Sequence, residues 1–166
     1  MNKILESERL ILRELTDEDA EHFYQLNADE EVIRFTGDLP FGSINEVRDF
    51  LAAYDHYKLY GFGRWAVLLK ENMEFIGWCG LKYDPESGEH DLGFRFFRPY
   101  WGRGFATEAA KACIEVAFGR FHIPVLYGRA LKQNTASIRV LEKCGMTFSG
   151  TGDFHGEEGV VYSISR

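Results

Sequence analysis

The stretch DLGFRFFRPYWGRGFATE (91–108) constrains the chain more than any other. Its first seven residues read as a strand, about 91–97, and the alanine-rich run after Gly104 reads as a helix to about Gly119. Between them Gly102 and Gly104 flank Arg103. A strand that breaks into a glycine turn and enters a helix suits an anion, because the first helical N–H groups lack partners and the dipole is positive there. The two glycines remove side chains that would hold a phosphate away. Arg98 and Arg103 add charge and Thr107 a hydroxyl. The plainer alternative is a tight turn that needs positive φ.

Three phosphate motifs compete for this turn. GxxxxGK followed by Ser or Thr, the P-loop, is absent. The dinucleotide fingerprint needs a third Gly or Ala where Thr107 stands, and an acid on the next strand, which PVLYGRALKQN does not supply. A third pattern, Arg/Gln-x-x-Gly-x-Gly/Ala, cradles the pyrophosphate of coenzyme A. WGRGFA (101–106) matches it at Gly104 and Ala106, with Trp101 at the first position.

Along the chain, ERLILREL (8–15) alternates as a strand, and Thr16 with DED behind it opens a helix to about Asn27. DEEVIRFTG holds a short helical turn or loop. Ser43 caps a helix carrying Val47, Phe50, Leu51 and Tyr54 to near Gly61. Strands follow at roughly 64–71 and 75–83, joined by ENME, and then comes the strand of the opening motif. In the helix after it, Phe105, Ala109, Ala112, Cys113 and Val116 share one side, with Glu108, Lys111 and Glu115 mostly outside. A strand at 124–131, a helix at 136–144 closed by Gly145, and two strands around a polar turn complete the chain. The order β-α-α-β-β-β-α-β-α-β-β predicts a mixed α/β (α+β) sheet with helices on its faces, as one domain over 1–166.

Composition narrows the function. Apolar residues reach 45% and aromatics 15%, enough for a full core without disulfides or metal. The net charge of −7 argues against direct nucleic-acid binding and suits a cationic substrate. Cys79, Cys113 and Cys144 form no CxxC pair, and His22, His56 and His122 lack ligand spacing and read as surface or helix-face residues, so no metal is expected. No apolar run is long enough for a signal peptide or for the ~18 residues of a membrane span, so a cytoplasmic protein is expected.

Taken together, ERLILREL, GWCGL, DLGFRFFRPYWGRGFATEA and NTASIRVLEKCGM resemble the GNAT superfamily of N-acetyltransferases, and within it the ribosomal-protein N-terminal (RimJ/RimL-type) branch. The likeness runs from about residue 5 to the end. It implies a mostly antiparallel mixed sheet splayed between its fourth and fifth strands, DLGFRFF and PVLYGRAL, with acetyl-CoA in the gap. It implies pyrophosphate on the N–H groups of Gly102, Arg103, Gly104, Phe105, Ala106 and Thr107, beside Trp101. It places pantetheine along the backbone of Phe96, Phe97 and Arg98, and makes the N–H near Phe94 the donor to the thioester carbonyl.

The resemblance also gives roles to side chains. It puts Asn134 against the pantetheine and Ser137 beside the sulfur, where Ser137 is the acid candidate because Leu141 stands where many members carry a proton-donating Tyr. From the residues alone, Asn134 is equally a helix cap. Asp91 stands where the branch has an acid, as candidate base acting through water; equally, it pairs with Arg95. Tyr162, His155 and Glu30 are other base candidates. Lys143 faces solvent or reaches the 3′-phosphate. The DEE run (29–31) is a solvated helix start or lines an acidic acceptor pocket. Cys144, at a buried helix end, is not expected to carry an acyl group. The implied activity is acetyl transfer to a primary amine, a protein N-terminus or a small molecule, by a monomer or homodimer. The alternative is a non-catalytic acyl-CoA sensor or interaction module on the same fold; a dinucleotide oxidoreductase is a more distant rival.

Overall fold

The computed structural model describes residues 1–166. Its centre is an eight-stranded sheet in the order β1-β2-β3-β4-β5-β6-β8-β7. The strands are β1 (Lys3–Glu6), β2 (Leu10–Glu14), β3 (Arg64–Leu69), β4 (Phe75–Asp84), β5 (Glu89–Phe96), β6 (Val125–Leu131), β7 (Thr147–Phe154) and β8 (Glu157–Ser165). The helices are α1 (Ala20–Ala28), α2 (Glu30–Ile33), α3 (Ile44–Ala53), α4 (His56–Tyr60), α5 (Phe105–Gly119) and α6 (Thr135–Lys143). Every neighbouring pair is antiparallel except β5 and β6. The α5 crossover connects those two strands, and a crossover of this length returns the chain in the same direction.

The expected splay is present, one strand later than the motif count gives, because β1 precedes the strand that begins the sequence reading. KILE is short and mixed in polarity, and it forms by pairing with β2. β5 and β6 pair only over His90–Leu92 against Leu126–Gly128, although β5 runs on to Phe96 and β6 to Leu131. Each side of the gap has its own helix: α5 packs on β4 and β5, and α6 on β6 and α5.

Sheet faces follow from burial. β3, RWAVLL, is buried at five of its six positions: Trp65, Val67 and Leu69 join the core that includes α5, and Ala66 and Leu68 pack with Phe75, Ile11, Leu15 and Phe97 on the other face. α5 closes on the sheet through Ala109, Ala110, Cys113 and Ala117, all fully buried. The stripe therefore lies one position further round than the sequence pattern suggests, with Ala110, Ile114 and Ala117 inside and Ala112 and Val116 at its edge. Glu108 is not simply outside. It accepts from Ser7 Oγ (2.6 Å), Arg9 N (2.8 Å) and Arg9 Nε (2.7 Å), tying the β1–β2 turn to α5. Burial alone would raise its carboxyl; the Ser7 and Arg9 hydrogen bonds outweigh that and lower it.

The single helix expected from Ser43 to Gly61 is two. Ser43 caps α3 by accepting from Glu46 N, but Tyr54 is extended and ends it. The break turns two tyrosines toward the start of β3. Tyr54 Oη accepts from Arg64 N (2.8 Å), while Tyr57 Oη accepts from Leu15 N (3.0 Å) and donates to Arg64 O. No Gly or Pro marks YDHY, so the kink comes from tertiary hydrogen bonds rather than local propensity.

Gly80 in β4 permits the closest backbone approach on this face. A Cβ there would lie 2.2 Å from Gly63 O, which accepts from Leu81 N, and Arg64 Nη1 bonds Gly80 O at 2.8 Å. Gly80→Ala is therefore expected to destabilise the protein by about 1–3 kcal/mol, roughly 2–4 °C in Tm per kcal/mol. Thermal denaturation followed by circular dichroism measures this; an unchanged midpoint would contradict the packing described.

Candidate active site

The site begins at the start of α5. Gly102 and Gly104 have φ of +71° and +81°, where an L side chain is strained, and Gly104 is the residue from which the helix springs. A Cβ at Gly102 would meet nothing within 4 Å, so that side of the loop is open to an approaching anion. The loop is held from below and behind. Arg9 Nη1 donates to Arg103 O at 3.1 Å, and the Arg9 guanidinium lies 4.2 Å from the Phe105 ring centroid. The Arg103 guanidinium covers the same ring at 5.0 Å. Trp101 Nε1 donates to Phe96 O at 2.7 Å, closing the turn onto the end of β5.

Beside this loop the parted strands bound a cleft of ≈ 380 Å³. Its walls bring together Phe94, Phe96, Trp101, Gly102, Ala106, Asn134 and Ser137, all expected from sequence, with Arg95 of β5 and Glu31, Val32, Arg34, Phe35 and Thr36 of α2 and its exit. The β5 backbone faces it edge-on. Phe97 N donates to Ile76 O of β4, so alternation turns the N–H and C=O of Phe94 and Phe96 the other way, toward the cleft. Trp101 already occupies the Phe96 carbonyl. The free edge thus lies at the Phe94 and Phe96 N–H groups, and it does not continue through Phe97, whose N–H is spent on β4.

Several expected residues stand elsewhere. Phe97 packs with Phe75 on the opposite face of the sheet. Arg98 pairs with Asp29 at 2.7 Å, fastening α2 to the strand exit. Asp29 is consumed by this pair and by capping Glu31 N, while Glu31 lines the cleft, so one acid of the DEE run faces it. The Phe105 side chain is buried and the Thr107 carbonyl faces Cys144 Sγ at 3.8 Å, while the N–H groups of Phe105, Ala106 and Thr107 stay in the first turn of α5. Lys143 is exposed on the last turn of α6, away from the cleft wall.

Asn134 caps α6, its Oδ1 accepting from Ser137 N at 3.3 Å, and it also lines the cleft. The Ser137 hydroxyl takes no part in that bond. Leu141 is buried against Gly128, where an added Cβ would lie 2.6 Å from Leu141 Cδ2. It belongs to the core under β6. Burial raises the Tyr162 phenol, which donates to Glu142 (3.2 Å). Burial raises the Cys144 thiol to about 11, so it is not a nucleophile at neutral pH.

Asp91 lines neither the cleft nor its neighbour cavity. Its carboxylate accepts from Arg64 Nη2 at 2.7 Å and sits 3.5 Å from Arg129 Nη1; the expected partner Arg95 instead holds Asn27 Oδ1 and Asp38 Oδ2 (2.7 Å). Asp91 and Arg95 share a face of β5 but do not pair, because Arg95 reaches α1 and the loop after α2.

A second cavity of ≈ 720 Å³ opens on the opposite face of the sheet and shares Thr36 and Arg95 with the cleft. Phe23, Phe41, Phe50, Tyr54 and Trp78 give it an aromatic wall, and Arg64, Lys82, Arg95 and Asp38 its charges. Sequence reasoning missed it because it gathers residues from α1, α3, α4, β3, β4 and β5. The aromatic run in HFYQLN and DFLAAYDHY is the only signal, and it reads equally as core. His56, expected as a surface or helix-face residue, lies on α4 and is part of this wall. Its Nε2 accepts from Tyr83 N at 2.9 Å, which leaves it neutral with the proton on Nδ1. Burial, then the cations Arg64 and Lys82, lower its pKa.

A histidine with a lowered native pKa binds its proton more readily when unfolded, so stability falls as pH drops through about 6.5 toward the native value and is unaffected above it. His56→Gln keeps an acceptor for Tyr83 N and removes this titration. Urea denaturation across pH 5–8 is expected to show a shallower acid-side slope in His56→Gln than in the native protein; identical slopes would contradict a neutral His56. The chain has no group of three or more His, Cys, Asp and Glu side chains placed to hold a metal. No helix is long and apolar enough to cross a membrane.

Comparison with known proteins agrees with this geometry. Residues 9–147 match the family model described as an acetyltransferase (GNAT) domain. The chain is 32% identical over 148 residues to the uncharacterized N-acetyltransferase p20 of Bacillus licheniformis, covering 88% of this chain and 83% of that one. It superposes on an acetyltransferase of Agrobacterium tumefaciens with a TM-score of 0.85 at 27% identity, covering 100% of this chain and 95% of the other. It also shares the fold of the RimL ribosomal L7/L12 alpha-N-protein acetyltransferase solved with coenzyme A, at a TM-score of 0.83 and 18% identity, covering 99% and 98% of the two chains. The splayed sheet, the glycine loop at the start of α5 and the matched model lead to one conclusion: the chain belongs to the GNAT acetyltransferase family.

Proposed function

We propose that this protein is an acetyl-CoA-dependent N-acetyltransferase acting on a primary amine by direct attack. The observation that carries this reading is the meeting of two spaces at Thr36 and Arg95: a cleft with a free strand edge and an anion loop on one side of the sheet, and an aromatic cavity on the other. The residues fit coenzyme A. The loop at Gly102 and Gly104 suits a pyrophosphate, and the unpaired edge at Phe94 and Phe96 suits an amide-bearing chain lying along it. Bound there, acetyl-CoA supplies an activated acetyl thioester.

The chain's own residues then have defined tasks. Phe94 N–H, facing the cleft, is the donor available to an acyl carbonyl oxygen. Ser137, whose hydroxyl is not used in capping, is the proton donor available to a departing thiolate. An amine attacks only when neutral, which costs about 1.4 kcal/mol at pH 7 for an α-amino group of pKa near 8. Glu31 and Asp38 are the carboxylates that line the two spaces, and they take the proton through water. Asp91 acts one step back, by fixing Arg64.

The test is free-thiol release from acetyl-CoA in the presence of a panel of primary amines, with coenzyme A affinity measured by calorimetry. Ser137→Ala is expected to lower kcat about tenfold or more and leave coenzyme A affinity within about twofold; unchanged turnover would remove Ser137 from the acid role. Gly104→Glu, which adds a charge and a side chain at φ +81°, is expected to abolish coenzyme A binding. Normal binding by that variant would place the anion site elsewhere. Tight coenzyme A binding with no thiol release from any amine would favour an acyl-CoA sensor.

A further inference from the structure

The chain carries a net charge of −7, yet its second cavity has the opposite sign. Three cations, Arg64, Lys82 and Arg95, line it against a single carboxylate, Asp38. Arg95 spends its charge on Asp38 and Asn27, and Arg64 on Asp91. Lys82 is exposed and forms none of the ion pairs of the chain. The polar groups around it are mostly donors. His56 presents an Nδ1–H, since its Nε2 is taken by Tyr83 N, and Trp78 Nε1 is a buried N–H without a partner. Lysine and arginine cannot accept hydrogen bonds at all.

The cations are laid out in a row. β4 turns Trp78, Gly80 and Lys82 to one face, opposite Arg95, Gly93 and Asp91 of β5. The guanidinium carbons of Arg95 and Arg64 lie 5.4 and 5.3 Å from the Trp78 ring. Arg64 sits over Gly93, where a Cβ would lie 2.6 Å from its Nη2. Arg95 marks the junction with the cleft, Arg64 comes next, and Lys82 is outermost, roughly 13 Å along β4 from Trp78 at about 3.3 Å per residue. Beside this row stand Phe23, Phe41 and Phe50, and at the mouth Leu39 is 85% exposed and Phe50 44% exposed.

From this layout we infer that the acceptor is a primary amine joined through an apolar or aromatic spacer to an anionic group, with the amine at Thr36 and Arg95 and the anion at Arg64 and Lys82. Polycationic amines are disfavoured at the same place. The inference rests on the N-acetyltransferase reading for the placement of the amine, and its anion site stands on the cavity alone. Burial is the main cause of the lowered His56 pKa, and Arg64 and Lys82 add to it, as a positive local potential would.

The test uses three probes of one shape: 4-(aminomethyl)phenylacetate, its carboxamide, and 1,4-bis(aminomethyl)benzene. Their affinities for the protein saturated with coenzyme A are measured by calorimetry, and thiol release from acetyl-CoA is followed separately. The carboxylate is expected to bind at least about tenfold more tightly than the diamine, with the carboxamide between them. Lys82→Glu, at an exposed position, is expected to reverse the order of carboxylate and diamine. Equal affinities, or a diamine preference in the native protein, would overturn the inference, even if thiol release showed that acetyl transfer occurs. The carboxylate preference with its reversal in Lys82→Glu, without thiol release from any probe, would keep the anion site and count against the transferase reading.

Discussion

Three residues of parallel pairing, His90–Leu92 against Leu126–Gly128, hold β5 and β6 side by side, and the strands part beyond them. Everything functional in this molecule depends on that short ladder. Its parallel sense follows from the α5 crossover. Its early end leaves a strand edge whose N–H and C=O groups must find partners in water or a ligand. The helix that makes the crossover also delivers its own N-terminus to the mouth of the gap, so strand edge and anion loop are consequences of one connection. Glu108 keeps that end of the helix in place by gathering Ser7 and Arg9, and Arg9 in turn holds the Arg103 carbonyl.

Arginines organise the other face. Arg64 and Arg95 flank Trp78 and are each fixed by a carboxylate, Asp91 and Asp38. Partly buried pairs of this kind are weak evidence for stability, because desolvation offsets much of the attraction. Here they set geometry, placing one guanidinium at the junction of the two spaces and the other within the cavity. Global charge is a poor guide to such a site. The acidic sequence suits a cationic substrate, whereas this cavity is lined by a local row of cations.

What the sequence made legible was local. The strand–glycine–helix segment, the cap at Asn134 and the terminator at Gly145 are short-range patterns, and they place the loop and much of the cleft wall. What it hid was long-range. β1 exists only through β2, the break at Tyr54 only through Arg64, and the partners of Asp91 and Arg95 come from strands and helices distant in sequence. Leu141 was readable as a missing donor, but its burial against Gly128 was not. The aromatic cavity assembles from six elements, and no window of residues contains its pattern.

The central claim is that the free edge of β5 at Phe94 and Phe96 receives an acyl-CoA. Residue-resolved amide hydrogen exchange with and without acetyl-CoA tests it directly. Slower exchange at Phe94 and Phe96 and at the α5 start on adding acetyl-CoA, with Leu92 already protected in its absence by β6, is the result this account predicts. Bound acetyl-CoA that leaves the Phe94 and Phe96 amides exchanging at their original rates would contradict it.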